Sequence, residues 1–584
     1  MVWRQIYDPM QNMALSTLFA ALPVAVMLVS LGLLHAKAHI AALAGLVTAL
    51  IIAIFVFGMP AATAGLAAGY GAAFGLLPIG WIILNIIFLY RLTEENGLFS
   101  VLQRSIAGIT DDRRLQLLLI AFAFGAFFEG AAGFGTPVAV TGAILIGLGF
   151  SPLAASGLAL IANTAPVAFG ALGSPVIALA SVTGLDLNAL SGMIGRQLPF
   201  FSLLVPFWLI WAFAGWRAMV AIWPAILVTG LSFAVTQYAV SNFHGPWLVD
   251  VIASIVSMVC LVQFLKVWKP AEVWTSTALV GHADNSAMLA PAHPHGAIIG
   301  IDYDTIDSNT GSVGAADLAE RPRGAILLKA WAPWAILTVF VFLWGVPAVK
   351  AALDGVSVLK FPVAGLDQMV VRMPPVVAAP TPEKAVYVLN WLSATGSGIF
   401  VAAVVGGLFM GYRPGQLVAA YGRTIWRVRY SLLTIMLMLA LGNLTRFSGL
   451  DTTLGLAFAR TGWAYPMFGV LLGWMGVALT GSDTASNVLF GGLQKTTAEQ
   501  LGLSPLLMAA ANSSGGVMGK MIDAQSIVVA STATGWKNGE GPILRYVFFH
   551  SIALAVLVGI LVTLQAYVSP FTAMVPPFTA IVGK

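Results

Sequence analysis

The chain carries very little charge for its length. Only 9% of its 584 residues are Asp, Glu, Lys or Arg, whereas 59% are hydrophobic and the mean hydropathy is +0.91. Soluble proteins have about 25% charged residues, because each of their domains needs a polar surface. The composition therefore excludes a soluble enzyme, a secreted disulfide scaffold and a disordered protein, and it indicates a polytopic membrane protein.

Cysteine is almost absent as well. The single one, Cys260, excludes an internal disulfide and a metal site built from cysteines. The sequence also lacks the carboxylate or His/Cys clusters that bind Ca²⁺ or Zn²⁺, so we expect no metal and no cofactor. The net charge of +5 reflects orientation in the membrane rather than nucleic-acid binding.

Long apolar runs are what the sequence has instead. About twelve of them reach the roughly 20 residues that a helix needs to cross a bilayer. They lie near 13–34, 39–58, 67–90, 152–184, 197–214, 218–240, 246–265, 326–346, 385–410, 429–446, 505–535 and 545–568. The polar segment 268–324 is predicted to be a cytoplasmic linker. With this layout, the distribution of Lys and Arg places both termini in the periplasm.

Two further apolar stretches, 115–150 and 464–501, are predicted to be re-entrant helical hairpins. Each has two apolar arms of about a dozen residues, too short to cross the hydrocarbon, with polar or small residues between them. Non-helical backbone at that depth must be buried in protein or line a water-filled cavity. The predicted fold is all-α, with about twelve transmembrane helices and two hairpins.

Several motifs occur twice, about 350 residues apart. Residues 149–153 read Gly-Phe-Ser-Pro-Leu, and residues 502–506 read Gly-Leu-Ser-Pro-Leu. Ala162-Asn163-Thr164 corresponds in the same way to Ala511-Asn512-Ser513. An odd number of predicted crossings separates the copies, so they enter the membrane from opposite faces, as in secondary transporters with inverted repeats. The predicted domains are 1–214 (first repeat), 215–325 (two connecting spans and the linker) and 326–584 (second repeat).

Each repeat contains a span that cannot be one regular helix. Pro166 and Pro175 interrupt the first, and Ser513-Ser514-Gly515-Gly516 together with Gly519 are predicted to interrupt the second. Free N–H groups at such helix ends suit an anionic carboxylate. Nearby uncharged donors and acceptors suit a small hydroxylated anion. The candidate substrate-binding residues are Gly130, Thr136, Asn163, Thr164, Ser174, Ser482, Thr484, Asn487, Asn512, Ser513, Ser514, Lys520 and Gln525.

Ionisable residues inside the membrane are candidates for ion coupling. Glu129 lies at the tip of the first hairpin, where desolvation favours its protonated form, so we expect it to exchange the coupled proton. Asp483 in the second hairpin either does the same or pairs with Lys520. Lys520 alternatively neutralises the substrate carboxylate. A Na⁺ site made of backbone carbonyls leaves little trace in a sequence, so Na⁺ coupling stays open.

Several long motifs resemble those of bacterial L-lactate permeases. They are Phe128-Glu129-Gly130-Ala131-Ala132-Gly133-Phe134-Gly135-Thr136-Pro137, Asn163-Thr164-Ala165-Pro166-Val167-Ala168-Phe169-Gly170, Leu479-Thr480-Gly481-Ser482-Asp483-Thr484 and Gly515-Gly516-Val517-Met518-Gly519-Lys520-Met521-Ile522. The resemblance implies a proton-coupled carrier of lactate and related 2-hydroxymonocarboxylates in the bacterial inner membrane. Glycolate carriers share these motifs, so L-lactate, D-lactate and glycolate all remain candidates.

The chain departs from that family pattern at one position. Asp523-Ala524 stands where the resemblance leads us to expect Ser-Pro, so we leave Asp523 out of the predicted site. Arg196, at the start of a span, is predicted to be interfacial.

Two other functions remain open. The first is a Na⁺-coupled or exchange carrier of other small organic anions such as dicarboxylates. It ranks second because Lys520 alone offers few cationic partners for two carboxylates. The second is an intramembrane enzyme or a channel, which the sequence favours less: an enzyme needs a nucleophile or metal constellation, and a channel needs no inverted hairpins.

Overall fold

The computed structural model describes residues 2–32, 34, 36–107, 109–131, 133, 136–274, 324–377, 379–536 and 539–577. Almost all of the predicted linker at 268–324 lies outside these residues. Helices make up most of the described chain. The helices of the first half are α1 (Met13–Gly32), α2 (Ala38–Phe55), α3 (Ala61–Phe74), α4 (Trp81–Glu95), α5 (Leu98–Ala107), α6 (Arg113–Leu117), α7 (Gly125–Ala131), α8 (Thr136–Gly147), α9 (Pro152–Ala162), α10 (Gly170–Thr183), α11 (Leu187–Ile194), α12 (Leu198–Ala221), α13 (Trp223–Phe243) and α14 (Val249–Val267).

The second half continues in the same way. Its helices are α15 (Ala325–Gly345), α16 (Pro347–Ser357), α17 (Thr395–Met410), α18 (Pro414–Ser448), α19 (Leu450–Phe458), α20 (Tyr465–Thr480), α21 (Asp483–Leu501), α22 (Pro505–Gly519), α23 (Ala524–Ala533) and α24 (Glu540–Tyr567). Short π-helical segments join α3 to α4 (Gly75–Gly80) and α6 to α7 (Leu118–Phe124). Single 3₁₀ turns lie at Val167–Phe169, Ala459–Ala464, Lys520–Ile522 and Phe571–Met574.

The described residues contain 8 helical segments that are long and apolar enough to cross a membrane, or up to 9 if the bent pair α9–α10 is one span. Shorter apolar helices of 10–17 residues occur at Met13–Met27, His39–Phe55, Pro137–Gly147 and Thr395–Met410. The chain is therefore a multi-pass helical membrane protein. The exact number of about twelve crossings, with two re-entrant hairpins, stays a prediction.

One predicted span is wrong in its first part. Residues 385–410 are helical only from Thr395, because Val386–Asn390 forms strand β5, which pairs antiparallel with β2 (Val358–Pro362). Alternating Val, Tyr and Leu side chains are typical of a strand, and here they made the apolar run look longer than its helix. The remaining strands, β1 (Trp3–Arg4), β3 (Val370–Arg372) and β4 (Thr381–Pro382), form a small sheet in the order β1-β3-β4.

The first arm of the predicted hairpin at 115–150 is longer than expected. Helix continues from Arg113 to Ala131, which is 19 residues and long enough to cross a bilayer on its own. The reason lies at its start, where the Asp112 side chain accepts from the Arg114 backbone N–H and lies 2.7 Å from the guanidinium of Arg114. This pairing buries the charges of Asp112 and Arg114 at the start of the helix. The second arm, α8, is short, as predicted, with 12 residues.

The two interrupted elements begin alike. Ser151 and Ser504 each cap a helix by accepting from the backbone N–H three residues later, and a proline follows each serine. After α9 the chain bends by 64° into α10. Ala171, Leu172 and Gly173 have φ values of 43°, 54° and 77°, so regular helix resumes only after them. The inverted orientation of the two copies and the domain boundaries stay predictions.

The break in the second element is not where the sequence placed it. Helix α22 runs without interruption through Ser513-Ser514-Gly515-Gly516 to Gly519, and the break lies at Lys520–Ile522. The glycines serve packing instead, because α22 lies directly against α20. A Cβ on Gly515 would be 2.3 Å from the Val470 carbonyl oxygen, and one on Gly519 would be 2.2 Å from that of Trp474. Close approach through small residues is typical of helix packing in membranes.

The same kind of packing gives a test of the fold in α3. A Cβ on Gly71 would lie 2.1 Å from the carbonyl oxygen of Leu439 in α18, whereas nothing lies within 4 Å of one on Gly69. We expect Gly71→Ala to lower stability by about 1–3 kcal/mol, because backbone must move apart. Gly69→Ala is the matched control and should leave stability unchanged or raise it slightly. Thermal unfolding of the purified variants in detergent measures both, and equal melting temperatures would contradict this packing.

Candidate functional site

Buried polar side chains gather where the two interrupted elements meet the ends of α7 and α20. Helix α10 packs against α21, and α23 packs against α8 and α9, so elements from both halves of the chain enclose this region. The predicted residues that it brings together include Glu129, Asn163, Asp483 and Lys520. These elements come from segments that are far apart in the sequence, yet they form one polar centre.

Glu129 lies in α7 with 4% of its surface exposed. Its Oε2 accepts from Nδ2 of Asn163, the C-cap of α9, at 3.1 Å. Its Oε1 lies against Gly170, where an added Cβ would be only 2.5 Å away. The carboxyl group is thus held in the break between α9 and α10. Asn163 Oδ1 is buried and has no hydrogen-bond partner among the described residues.

Asp483 occupies the first turn of α21, directly after the N-cap Ser482. Its Oδ2 accepts from Ser513 Oγ at 2.5 Å and from Asn487 Nδ2 at 3.2 Å. Its Oδ1 is buried against Gly516 and has no hydrogen-bond partner in the described part of the chain. A carboxylate is stabilised at a helix N-terminus, so this position offsets part of the cost of burying a charged Asp483.

A chain of amides extends from Asp483 into the protein. Asn487 Nδ2 also lies 3.3 Å from the Pro175 carbonyl in α10, and Asn487 Oδ1 accepts from Asn512 Nδ2 at 2.9 Å. Asn512 Oδ1 in turn accepts from Gln494 Nε2 at 3.2 Å, and Tyr465 donates to Gln494 Oε1 at 2.8 Å. These contacts join both interrupted elements to α20 and α21, and they fix the side chains around the carboxyl group.

Lys520 and Asp523 form an ion pair inside this region, which the sequence analysis did not predict. Lys520 Nζ donates to the Gly481 carbonyl at 2.6 Å and lies 3.3 Å from Asp523 Oδ2. Asp523 Oδ1 accepts from the Ser526 backbone N–H at 2.7 Å, so it caps α23. The structure thus places Asp523 beside the predicted residue Lys520, although the sequence analysis left Asp523 out of the site. Among the described residues, Lys520 forms its ion pair with Asp523 and not with Asp483.

The charges of the centre do not balance. Glu129 and Asp483 each interact electrostatically with Lys520, and Glu129 also interacts with Asp523. Three carboxyl groups therefore face one ammonium group. If all three were ionised, the centre would hold an excess of negative charge away from water, which is costly.

Other candidate side chains have more local roles. Thr164 donates to the Ile161 carbonyl at 2.8 Å and Ser174 to the Gly170 carbonyl at 3.4 Å, so both bond to nearby backbone. Ser482 caps α21, and Thr484 follows Asp483 in its first turn. Ser514 points elsewhere, because it donates to Gln197 in the turn before α12 at 2.7 Å. The side chains of Thr136 and Gln525 lie outside the described residues.

Several polar residues of this region were missed by the sequence analysis. Gln494 and Gln197 are fully buried hydrogen-bond partners of the predicted residues. Asp250 lies beside Gly130, where an added Cβ would be 2.7 Å from the Asp250 Cβ. Asp250 could have been identified from the sequence as a charged residue within an apolar run. The pairing of Lys520 with Asp523 could have been identified from their i, i+3 spacing.

Two sequence predictions concern residues away from this centre. Arg196 follows α11, where Nε donates to Asn242 Oδ1 at 3.0 Å and an Nη donates to the Met574 carbonyl at 2.8 Å. It therefore links segments away from the breaks. In the part of the chain that the structure describes, no group of three or more His, Cys, Asp or Glu residues could hold a metal ion.

A family model described as L-lactate permease matches residues 16–569. The chain belongs to the L-lactate permease family. The glycolate permease GlcA of Escherichia coli K12 is 46% identical over 98% of this chain and 99% of its own length. The L-lactate permease of the same strain is 43% identical over 98% of this chain and 100% of its own.

This permease also resembles a solved structure weakly. The crystal structure of the Alcanivorax borkumensis YdaH transporter aligns with 86% of each chain at 14% identity and a TM-score of 0.41, which is too low to carry a conclusion. Family membership itself establishes that the chain is a membrane permease for a small molecule and not an enzyme.

The double role of Asp523 in this permease gives a test. Asp523→Asn keeps an acceptor for the Ser526 N–H but removes the charge that pairs with Lys520, so we expect reduced stability. Asp523→Ala should be less stable still by about 1 kcal/mol, because α23 also loses its cap. Thermal unfolding in detergent measures both differences.

The control for Asp523 is Asp186, an exposed N-cap whose Oδ1 accepts from the Ala189 N–H at 2.8 Å. Asp186→Ala removes a cap without removing a buried ion pair, and it should cost about 1 kcal/mol. If Asp523→Asn were as stable as the unmodified protein, the ion pair between Lys520 and Asp523 would contribute nothing to stability.

Proposed function

We propose that this permease takes up lactate and related 2-hydroxymonocarboxylates, namely L-lactate, D-lactate and glycolate, by proton symport across the bacterial inner membrane. The names of its relatives support this substrate class. The observation that carries the proposal is the charge of the buried centre, where Lys520 pairs with Asp523 and also interacts electrostatically with the carboxyl groups of Glu129 and Asp483. On this proposal the chain is an inverted repeat with both termini in the periplasm.

The excess of carboxyl groups explains why a proton should accompany the substrate. Two charges 4 Å apart at an effective dielectric constant of 20 interact by about 4 kcal/mol. A substrate carboxylate is therefore repelled while Glu129 and Asp483 are ionised. Protonation of either group removes this repulsion, so proton binding and anion binding favour each other, which is thermodynamic coupling.

The polar groups of the centre suit a 2-hydroxy acid. The ammonium group of Lys520, held at Gly481 and Asp523, can neutralise one carboxylate. The buried Asn163 Oδ1 and Asp483 Oδ1 accept no hydrogen bond from the described residues, so either can accept one from a substrate hydroxyl. A dicarboxylate would bring a second charge to the same ammonium group, which disfavours it.

Transport measurements on the purified permease in proteoliposomes test this function. An external pH lower than the internal pH should drive radiolabelled lactate inward above its equilibrium level, and a protonophore should abolish this accumulation. Unlabelled L-lactate, D-lactate and glycolate should compete, whereas the dicarboxylate malate should compete poorly. Accumulation driven by a Na⁺ gradient but not by a pH gradient would contradict proton symport and favour the alternative carrier.

Glu129 is the first residue to test in this assay. Glu129→Gln keeps the size of the side chain and an acceptor for Asn163, but it cannot release a proton. We expect proton-driven accumulation of lactate to fall to background, with a smaller effect on exchange of lactate across the membrane.

The control for Glu129 is Glu272→Gln, because Glu272 is exposed and outside the buried centre. This variant should transport like the unmodified protein. Undiminished uphill uptake by Glu129→Gln would remove Glu129 from the coupling role.

A further inference from the structure

Asp250 is a buried carboxyl group that the proposed mechanism has not used. Only 1% of its surface is exposed, and neither of its carboxyl oxygens has a hydrogen-bond partner among the described residues. An ionised carboxylate in such surroundings is strongly disfavoured. These surroundings therefore favour the protonated carboxylic acid, which can act as a proton donor.

Two contacts place Asp250 next to the proposed transport site. Its Cβ lies 2.7 Å from the position of an added Cβ on Gly130, the residue that follows Glu129. The turn that precedes Asp250 reaches the break of the first interrupted element, since Pro246 lies 2.7 Å from an added Cβ on Gly173. Asp250 thus touches the end of α7, and its turn touches the start of regular helix in α10.

The ionisable neighbours of Asp250 are few. The elements packed against α14 are α7, α10, α13 and the π-helical segment Leu118–Phe124. Their titratable side chains are Glu129 on α7 and Tyr238 on α13. The turn before α14 adds His244, whose ring stacks on Phe342 with its Nε2 3.3 Å from the Phe342 carbonyl. Glu129 is the ionisable group with which Asp250 interacts electrostatically.

We propose that Asp250 is a second proton-carrying residue of the transport cycle, which exchanges the coupled proton with Glu129. In the transfer, the O–H bond of the Asp250 carboxyl breaks and an O–H bond forms on the Glu129 carboxylate. The negative charge moves to Asp250 in the first turn of α14, where the helix N-terminus offsets part of the cost of a buried carboxylate. No hydrogen bond joins the two described carboxyl groups in this conformation, so the transfer belongs to another state of the cycle.

This inference rests on the proposed proton symport and adds a route for the proton. On the predicted orientation the start of α14 faces the periplasm, so Asp250 lies where a proton entering from outside reaches Glu129. The residue is a positioning and relay group, because the substrate itself meets Glu129, Asp483 and Lys520.

The test compares Asp250→Asn with Asp250→Glu and with the exposed control Asp186→Asn, which keeps its helix cap. Each variant is reconstituted in proteoliposomes, and two rates are measured over a range of external pH. One is lactate accumulation driven by a pH gradient, and the other is lactate exchange without a gradient. Thermal unfolding of each variant in detergent reports on folding.

We expect Asp250→Asn to lower the ratio of proton-driven accumulation to exchange by about 100-fold or more, the lower end of the range for a lost proton-transfer group. Asp250→Glu should restore part of the ratio with a shifted pH profile, and Asp186→Asn should leave it unchanged. An unchanged ratio in Asp250→Asn would overturn the proposal. So would an equal loss of both rates together with a lower melting temperature, which indicates a structural role.

The same experiment separates this inference from the proposed function. If the unmodified permease accumulates lactate in response to a pH gradient and Asp250→Asn does so equally well, only the role of Asp250 fails. If the unmodified permease itself does not respond to the gradient, proton symport fails and the role of Asp250 falls with it.

Discussion

One buried ammonium group among carboxyl groups is the constraint on which the site depends. Lys520 has little contact with water and is held by the Gly481 carbonyl and by Asp523. A charge this deep needs an opposite charge or several dipoles nearby. The end of α20 supplies the carbonyl, because Gly481 is its C-cap, and the break at Lys520–Ile522 supplies the opposite charge, because the next helix begins with Asp523 as its cap. The interruption in the helix is therefore what allows the cation to lie there.

The surrounding side chains are held by packing as much as by hydrogen bonds. Glycines bring α22 so close to α20 that their backbones touch, and this places Asn512 and Ser513 next to α21. The amide chain from Asn487 to Gln494 then has every step within hydrogen-bonding distance. A buried polar network of this kind is stable only when its members are paired. Asn163 and Asp483 each keep one buried oxygen that has no hydrogen-bond partner among the described residues, and on the proposed function these oxygens are where a ligand binds.

Much of this arrangement could be predicted from the sequence. Glu129 and Asp483 could be identified because each is an acidic residue among small residues in an apolar run. The repeated Ser-Pro and Ala-Asn motifs identified the two interrupted elements. Prolines identified the first break correctly, because they remove a backbone donor wherever they occur. The second break was misplaced, because glycine and serine in a membrane helix serve either an interruption or close packing. Only the approach of α20 distinguishes the two uses.

The partners of these residues were harder to predict, because they come from distant segments. Asp250 reaches Gly130 across about 120 residues of sequence, and the repeat analysis gave no reason to pair α14 with α7. Asp523 was set aside because it departs from the Ser-Pro expected by resemblance. Serine and aspartate both cap helices well, so the geometry of α23 tolerates either residue. Their charges differ, however, and in a centre with a single cation that difference changes how many carboxyl groups compete for it. Similarity to relatives therefore predicts the backbone geometry of the site more reliably than it predicts the charge of the site.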